Sequence, residues 1–386
     1  MDQYSAETGK GKQECLLDRQ RVLDSRSVCG MDFFHQQRLH EAFWRGEGPS
    51  LILIPPARQE LYDLNNYPAR FHNPHAMWES EVRRAESSVG WPTDGIPTIR
   101  PNLGVIFIPA MAGMGYTLPD NAMPWPGEPL TREAISKIRS LDVSQSETMR
   151  LAAEFYAIHT ASGRQDVAAY QPDTQGVFDI AHLLWGDGIF CDLADPDQEA
   201  WIDELFSISH ELYVKATCHV KSVLGEPTTS MIHGHGTSQG VYLPSAGTRM
   251  AEDTATLLSP AMIERFILPS IEKAASPFGS AFVHYCGKHL NLFEQLCRCE
   301  AVCAIDLGNP ETYETRWLME RCAESGTVLY SRLAAEPGED WKTYVLRLAA
   351  LVRDTGARVI LRPLVFPQTR DDCAAMRELW HAGTAG

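Results

Sequence analysis

Residues 279–365 contain GSAFVHYC (279–286), LNLFEQLCRC (290–299), AVCAIDLG (301–308), ETYETRWLMERCAES (311–325), TVLYSRL (327–333), DWKTYVLRLAALVRDT (340–355) and RVILRPLV (358–365). The first, third, fifth and seventh of these are short apolar runs of strand length. The others are longer and repeat apolar residues every three or four positions, which is the helical period. Strand and helix therefore alternate with only short connections between them. Parallel strands need such crossovers, and a helix is the usual one.

The same rhythm extends toward the N-terminus. SLILIPP (50–56) reads as a buried strand closed by prolines, and residues 74–88 read as a helix. IPTIRPNLGVIFIPAMAG (96–113) begins extended and is too rich in Gly and Pro for one regular element. A helix over 144–162 leads to the strand VAAYQPDTQG (167–176) and to a helix starting near Val177. A long helix over 197–224 places Trp201, Leu205, Ile208 and Leu212 on one stripe. The extended TTSMIHGHG (228–236) and a helix over 260–275 follow, with Ser259 as N-cap and Pro260 at the first helical position. A last helix covers 370–380.

Strand and helix thus alternate about eight times, and no G-x-G-x-x-G or G-x-x-x-x-G-K-[ST] loop marks an open nucleotide-binding sheet. The expected fold is α/β, a (β/α)₈ TIM barrel over residues 51–386. Residues 1–50 form a helical N-terminal extension, with apolar spacing over 22–48.

Composition narrows the function classes. With 34 Lys+Arg against 50 Asp+Glu the net charge is −16, and no basic cluster offers a footing for nucleic acid or an anionic membrane. The longest apolar runs are strand-sized, far below the ~20 residues that span a bilayer. No secretory signal is visible, and ten cysteines are too sparse for a disulfide scaffold, so reduced thiols and a cytoplasmic location are expected.

In a barrel the C-terminal strand ends face the active site. Those ends carry Arg100 and Asn102, Asp173 and Gln175, His233 and His235, His284 and Cys286, Asp306 and Asn309, and Arg362. His284-Tyr285-Cys286 has the sharpest chemistry. Residues two apart on a strand share a face, so imidazole and thiol can meet on one zinc ion. The competing reading is a hydrogen-bonded core histidine beside a packing thiol. His233-Gly234-His235 repeats the geometry, with solvated loop histidines as its alternative. Cys297 and Cys299 fall on a helix, where residues two apart diverge, and with Cys303 they read as packing thiols. Gly236-Thr237-Ser238-Gln239-Gly240 matches G-x-S-x-G, but no helix can follow it through Pro244, so it reads as a flexible loop.

Taken as a set, PDTQGVFDIAHLLWGDGIFCDLADPD (172–197), EDTATLLSPAMIERFILPSIEK (252–273), HYCG (284–287) and AIDLGNPE (304–311) resemble the uroporphyrinogen decarboxylase-like superfamily. The resemblance runs from about residue 96 to 380 in order and spacing. It implies a (β/α)₈ barrel enzyme, either a uroporphyrinogen decarboxylase of porphyrin biosynthesis or a corrinoid-dependent methyltransferase. The decarboxylase signatures find no match in SLILIPPARQE (50–60), IRPNLGVIFIP (99–109) or RPLVFPQTRDDC (362–373). His284 and Cys286 stand where the methyltransferases hold their first two zinc ligands.

The methyltransferase branch therefore fits better. It implies zinc, a corrinoid (cobalamin) co-substrate on a partner protein, and a small thiol acceptor. The third zinc ligand of that branch is a Cys after the last strand, and Arg362 occupies that neighbourhood. Either His235 or Asp253 completes the site, or Arg362 has reshaped it for a carboxylate or phosphate, or no metal binds. Asp253 and His235 are the candidate catalytic groups. Arg100, Asn102, Asp173, Gln175, His233 and Arg362 are the candidate substrate contacts. Two alternatives stay open: a tetrapyrrole decarboxylase using Arg100 and Arg362, and a non-catalytic corrinoid- or tetrapyrrole-binding barrel.

Overall fold

A computed structural model describes residues 31–56, 66–235 and 237–385. The expected helical reading of residues 1–30 lies outside the described residues. Ten strands organise the core: β1 (Leu51–Ile52), β2 (Ile96–Ile99), β3 (Ala168–Ala169), β4 (Met231–His233), β5 (Gln239–Leu243), β6 (Ala246–Ala251), β7 (Ser280–Tyr285), β8 (Val302–Leu307), β9 (Val328–Ser331) and β10 (Val359–Leu361). Six of them form a parallel sheet in the order β1-β10-β9-β8-β7-β6. The rest form a second sheet, β3-β2-β5-β4, in which β2 and β3 are parallel and β5 runs antiparallel to both β2 and β4. A parallel bridge between Gln175 and Ala251 links the sheets on one side. On the other, the Asp94 amide donates to the Ile52 carbonyl at 3.0 Å. The architecture is α/β, consistent with a TIM-barrel-like fold.

The helices follow local chemistry. Asn73, Ser146, Asp340 and Thr369 each cap a helix by accepting from a backbone N–H with the side chain. Glu199–Leu224 buries Trp201, Leu205, Ile208 and Leu212 as its stripe requires. Ser259 caps the segment starting at Pro260, which passes through a π-helical stretch, Ile263–Ile267. No helix among the described residues is long and apolar enough to cross a membrane.

One expectation needs correction. TTSMIHGHG is not a parallel strand of the core. Met231–His233 pairs antiparallel with Gln239–Leu243 as a hairpin, and the parallel strand at this point is β6, Ala246–Ala251. Its sequence AGTRMA has no apolar alternation, which hides it from a periodicity argument. The stretch read as a flexible glycine-rich loop is likewise fixed: Ser238 and Gln239 are buried, and the Thr98 amide donates to the Ser238 carbonyl at 2.9 Å.

The hairpin has a packing role. Met231, Val241 and Leu243 join Phe43, Leu51, Leu53, Ala246, Phe282, Ala304, Val328, Tyr330 and Ile360 in a compact inner cluster, separate from the larger one beneath the helices. Helix Met31–Trp44 closes this inner cluster from the N-terminal end of the strands, where the Trp44 indole N–H donates to the Tyr242 carbonyl at 2.8 Å. The inner residues also set a parity. Two positions beyond Phe282, Ala304, Tyr330 and Ile360, on the same strand face, come His284, Asp306, Arg332 and Arg362. One face of the parallel sheet therefore passes from apolar at its base to charged at its mouth.

Candidate functional site

That charged layer lines a cavity of about 350 Å³ bordered by Asp173, Gln175, His235, Arg249, Asp253, His284, Cys286, Asp306, Asn309, Arg332 and Arg362. Its centre is Asp306 on β8, buried between two imidazoles. Its Oδ2 lies 3.0 Å from Nδ1 of His284 and 2.8 Å from Nδ1 of His235. The two rings sit with centroids 4.3 Å apart. Burial disfavours the Asp306 carboxylate, yet the two histidines hold its pKa well below the usual range.

The histidines respond oppositely. Burial opposes charge on His284, but the Asp306 charge, its hydrogen bond and the Cys286 contact raise the pKa to about 10. For His235, burial outweighs the pull of Asp306 and the neighbouring His284 adds to it, leaving a pKa of about 3. One carboxylate thus supports one extra proton between two rings. Arg249 Nη2 also lies 3.3 Å from Nδ1 of His235. A single nitrogen cannot donate to Asp306 and accept from Arg249; the shorter contact to the carboxylate decides for donation. The Nε2 of His235 is then an acceptor.

On the outer side of His284, Nε2 lies 3.4 Å from Cys286 Sγ and 3.7 Å from Asp253 Oδ1. The same Asp253 oxygen accepts the Cys286 amide at 2.5 Å. Asp253, His284 and Cys286 form one set of donors close enough to share an ion, and His235, His284 and Asp306 form another. Gly308 makes room for the thiol, because any Cβ there would collide with Cys286 Sγ.

Asp253 is held from behind. The Asp179 carboxylate accepts the amides of Asp253 and Thr254, both at 3.0 Å. Glu252 in turn faces the amides of Phe178 and Asp179 at the start of helix Val177–Trp185, in space that any side chain at Gly176 would fill. Burial, followed by the charge of Asp253, raises the Asp179 pKa to about 7.

The opposite wall carries cations. Arg249 pairs with Asp173, and Arg100 lies 3.8 Å from it. Burial works against the charge on Asp173, but these two guanidiniums keep it ionised well below the usual carboxylate range.

Asp173, Gln175, His235, Asp253, His284, Cys286 and Arg362 therefore meet in one cavity. Strand-end position suggests this for all but His235, which a hairpin tip carries there, and Asp253, which follows the unrecognised β6. Three expected contacts do not line it. Arg100 is buried behind Asp173 and lies over the Tyr170 ring. Asn102 is buried, its carbonyl accepting the Tyr67 hydroxyl at 2.5 Å. His233 packs within the fold against Tyr170 and Phe282, because it belongs to the hairpin and not to a parallel strand. Strand-end reading, for its part, placed Asp306 and Asn309 at the mouth without giving them a role, and it missed Arg249 and Arg332. Arg249 sits on the unrecognised β6. Arg332 follows the strand TVLYS by one position, at the same parity as Tyr330, and that was a usable signal.

No protein-family model matches the chain, and no curated protein matches it. Among solved structures, the chain is similar to a methyltransferase from Methanosarcina mazei, with a TM-score of 0.64 and 14% sequence identity, over 89% of this chain and 98% of that one. At that identity the likeness establishes a shared fold, carried over nearly the full length of both chains.

Proposed function

We propose that this protein is a zinc-dependent methyltransferase of the uroporphyrinogen decarboxylase-like superfamily, moving a methyl group between a corrinoid on a partner protein and a small thiol. In this reading the two sheets, joined at Gln175–Ala251 and at Asp94–Ile52, make up one (β/α)₈ barrel. The observation that carries the reading is the convergence of Asp253 Oδ1, His284 Nε2 and Cys286 Sγ at the mouth of the cavity. The structural neighbour, a methyltransferase, supports it.

The donor set fits zinc. One carboxylate, one imidazole and one thiolate satisfy three positions and leave a fourth for substrate. The inner nitrogen of His284 is anchored on Asp306, the usual support for a metal-bound histidine. Zinc held there would lower the pKa of an acceptor thiol so that it is ionised at neutral pH.

The chain's own residues do the rest. Asp179 fixes the backbone that presents Asp253 by accepting the amides of Asp253 and Thr254. Asp306 orients His284, and Gly308 leaves room for Cys286. His235, neutral with Nε2 as acceptor, can receive a hydrogen bond from the acceptor thiol and orient it, the thiol proton itself passing to solvent. The cavity lies at the small end of ligand sites, ~300–1,000 Å³, which suits a small thiol and leaves a corrinoid to approach from outside. Trp125, Leu257, Leu290 and Leu364 are exposed on segments that follow C-terminal strand ends, which supports a protein partner on that face. A tetrapyrrole decarboxylase has less support, since Arg100 is engaged with Asp173.

The test is metal content followed by turnover. Protein purified without added metal should hold about one zinc per chain. It should also consume methylcobalamin in the presence of dithiothreitol, lose this on chelation and regain it with zinc. Metal-free protein that turns over equally fast, or zinc-loaded protein that leaves methylcobalamin intact, overturns the proposal.

A further inference from the structure

We propose that Arg362 and Arg332 form an anion-binding wall in this cavity, taking the carboxylate or phosphate group of a small ligand. The inference does not depend on zinc, because it rests on different residues across the same space.

Four guanidiniums surround the inner face of the strands, and they fall into two pairs. Arg249 and Arg100 share the carboxylate of Asp173. Arg362 and Arg332 have no carboxylate partner among the described residues. Arg332 donates to the Gly308 carbonyl at 3.1 Å, and the Arg362 guanidinium lies over the Tyr330 ring, 5.4 Å from its centroid. Arg362 is nevertheless only 9% exposed and lines the cavity. Burying a cation without a counter-charge is costly, and buried charges are normally paired. Here the missing partner belongs to whatever fills the space.

The backbone sets the spacing of the pair. Ser331 and Leu361 are directly opposed on β9 and β10, and the Arg362 amide donates to the Ser331 carbonyl at 2.9 Å. Arg332 and Arg362 therefore leave adjacent parallel strands at adjacent positions. Their planar forks match the geometry of an oxyanion better than a lysine would. Asp306, a buried carboxylate lining the cavity, is already shared by two histidines and makes no ion pair with either arginine.

The experiment uses the full-length chain stripped of metal with a chelator and dialysed, so that no anion can bind through zinc. Inorganic phosphate and glutarate are titrated at constant ionic strength set with chloride, and binding is read by calorimetry and by the shift in melting temperature. One of the two should bind saturably to the wild type, phosphate indicating a phosphate ester and glutarate a carboxylate ligand. Arg362→Met should weaken that binding roughly tenfold or more, as expected for a charge-assisted contact. Arg332→Met, at a partly exposed position, should weaken it in the same direction, and Arg362→Lys should fall between. Without anion, Arg362→Met should melt no lower than the wild type and should keep its zinc when metal is supplied. No saturable binding of either probe overturns the proposal. So does undiminished binding by both Met variants. Binding that appears only after zinc is restored also overturns it, since the anion then sits on the metal.

Discussion

The two ends of the parallel-strand core handle buried charge in opposite ways. At the N-terminal end, Asp94 is wholly buried and fully matched. Its carboxylate accepts from the Ile52 amide at 2.8 Å, from Arg377 Nε at 2.6 Å and from His381 Nε2 at 2.8 Å. Burial pushes its pKa up, but His381 and Arg377 pull it below the usual value. His40 beside it is locked as a neutral ring: Nδ1 accepts the Tyr242 amide at 2.9 Å and Nε2 donates to the Asp94 carbonyl at 2.7 Å. At the C-terminal end, Nε2 of His284 faces Cys286 and Asp253, His235 has an unused acceptor, and Arg362 has no counter-ion among the described residues. The residue types are much the same. What differs is completion: the first end satisfies its polar groups and holds the fold, and the second leaves valences open for a ligand.

The contrast can be broken most forcefully at the mouth. Cys286→Ala and His284→Ala should each lose most bound zinc, since two ligands rarely retain a catalytic ion. Cys286→Ala should leave thermal stability little changed, whereas His284→Ala also unpairs the buried Asp306 and should cost about 3 kcal/mol. Metal analysis beside a melting curve checks this. Zinc retained at wild-type level in either variant would remove the functional half of the contrast.

Asp94→Ala is the counterpart at the other end. It strips Arg377, His381 and the Ile52 amide of their shared acceptor, and breaking a buried pair costs about 3 kcal/mol. Urea unfolding should show that loss while zinc binding to refolded protein is unchanged.

A smaller effect comes from pH. Burial, opposed in part by Asp94, lowers the His40 pKa from its ordinary 6.5 to about 4. The unfolded chain therefore binds the extra proton first as pH falls. Stability from this group is full above pH 6.5 and drains away between 6.5 and 4, by about 2 kcal/mol from pH 7 to pH 5. Arg377, which also faces the ring, acts in the same direction as burial. Unfolding free energies of the wild type and His40→Gln at the two pH values isolate the contribution. A His40→Gln variant with the same pH slope as the wild type would show that the ring is not held neutral.

The smallest effect belongs to neither end. Arg265 pairs with Glu199, but both side chains are more than half exposed. Arg265→Ala should shift stability by less than ~0.5 kcal/mol, because solvent screens such pairs. A larger shift in the unfolding midpoint would mean that surface charge, and not only buried charge, discriminates regions of this molecule.

Strand periodicity located the parallel segments around residues 279–365 because each is a compact apolar run between helices of clear period. Strand-end position then brought Asp173, Gln175, His284, Cys286 and Arg362 toward one space. His235 reached the cavity for a different reason from the expected one: a hairpin tip carries it there. The same logic misplaced Arg100, Asn102 and His233, because a strand end states where the backbone emerges and not whether a side chain is claimed by a neighbour. Arg100 is claimed by Asp173, which follows another strand, β3.

The amino-acid sequence by itself determined the α/β alternation, the apolar stripe of the long helix, the helix caps and the parity that aligns His284 with Cys286. These depend on neighbours within a few positions, and local period and side-chain type suffice to express them. Only the tertiary structure decided that Met231–Leu243 is a hairpin within the inner core and that AGTRMA is a strand. It alone decided that Asp306 is shared by two histidines and that Arg362 is left without a counter-charge. Each of these is a pairing between residues distant in the chain, and pairing is settled by which groups packing brings together and which polar atoms remain to be satisfied.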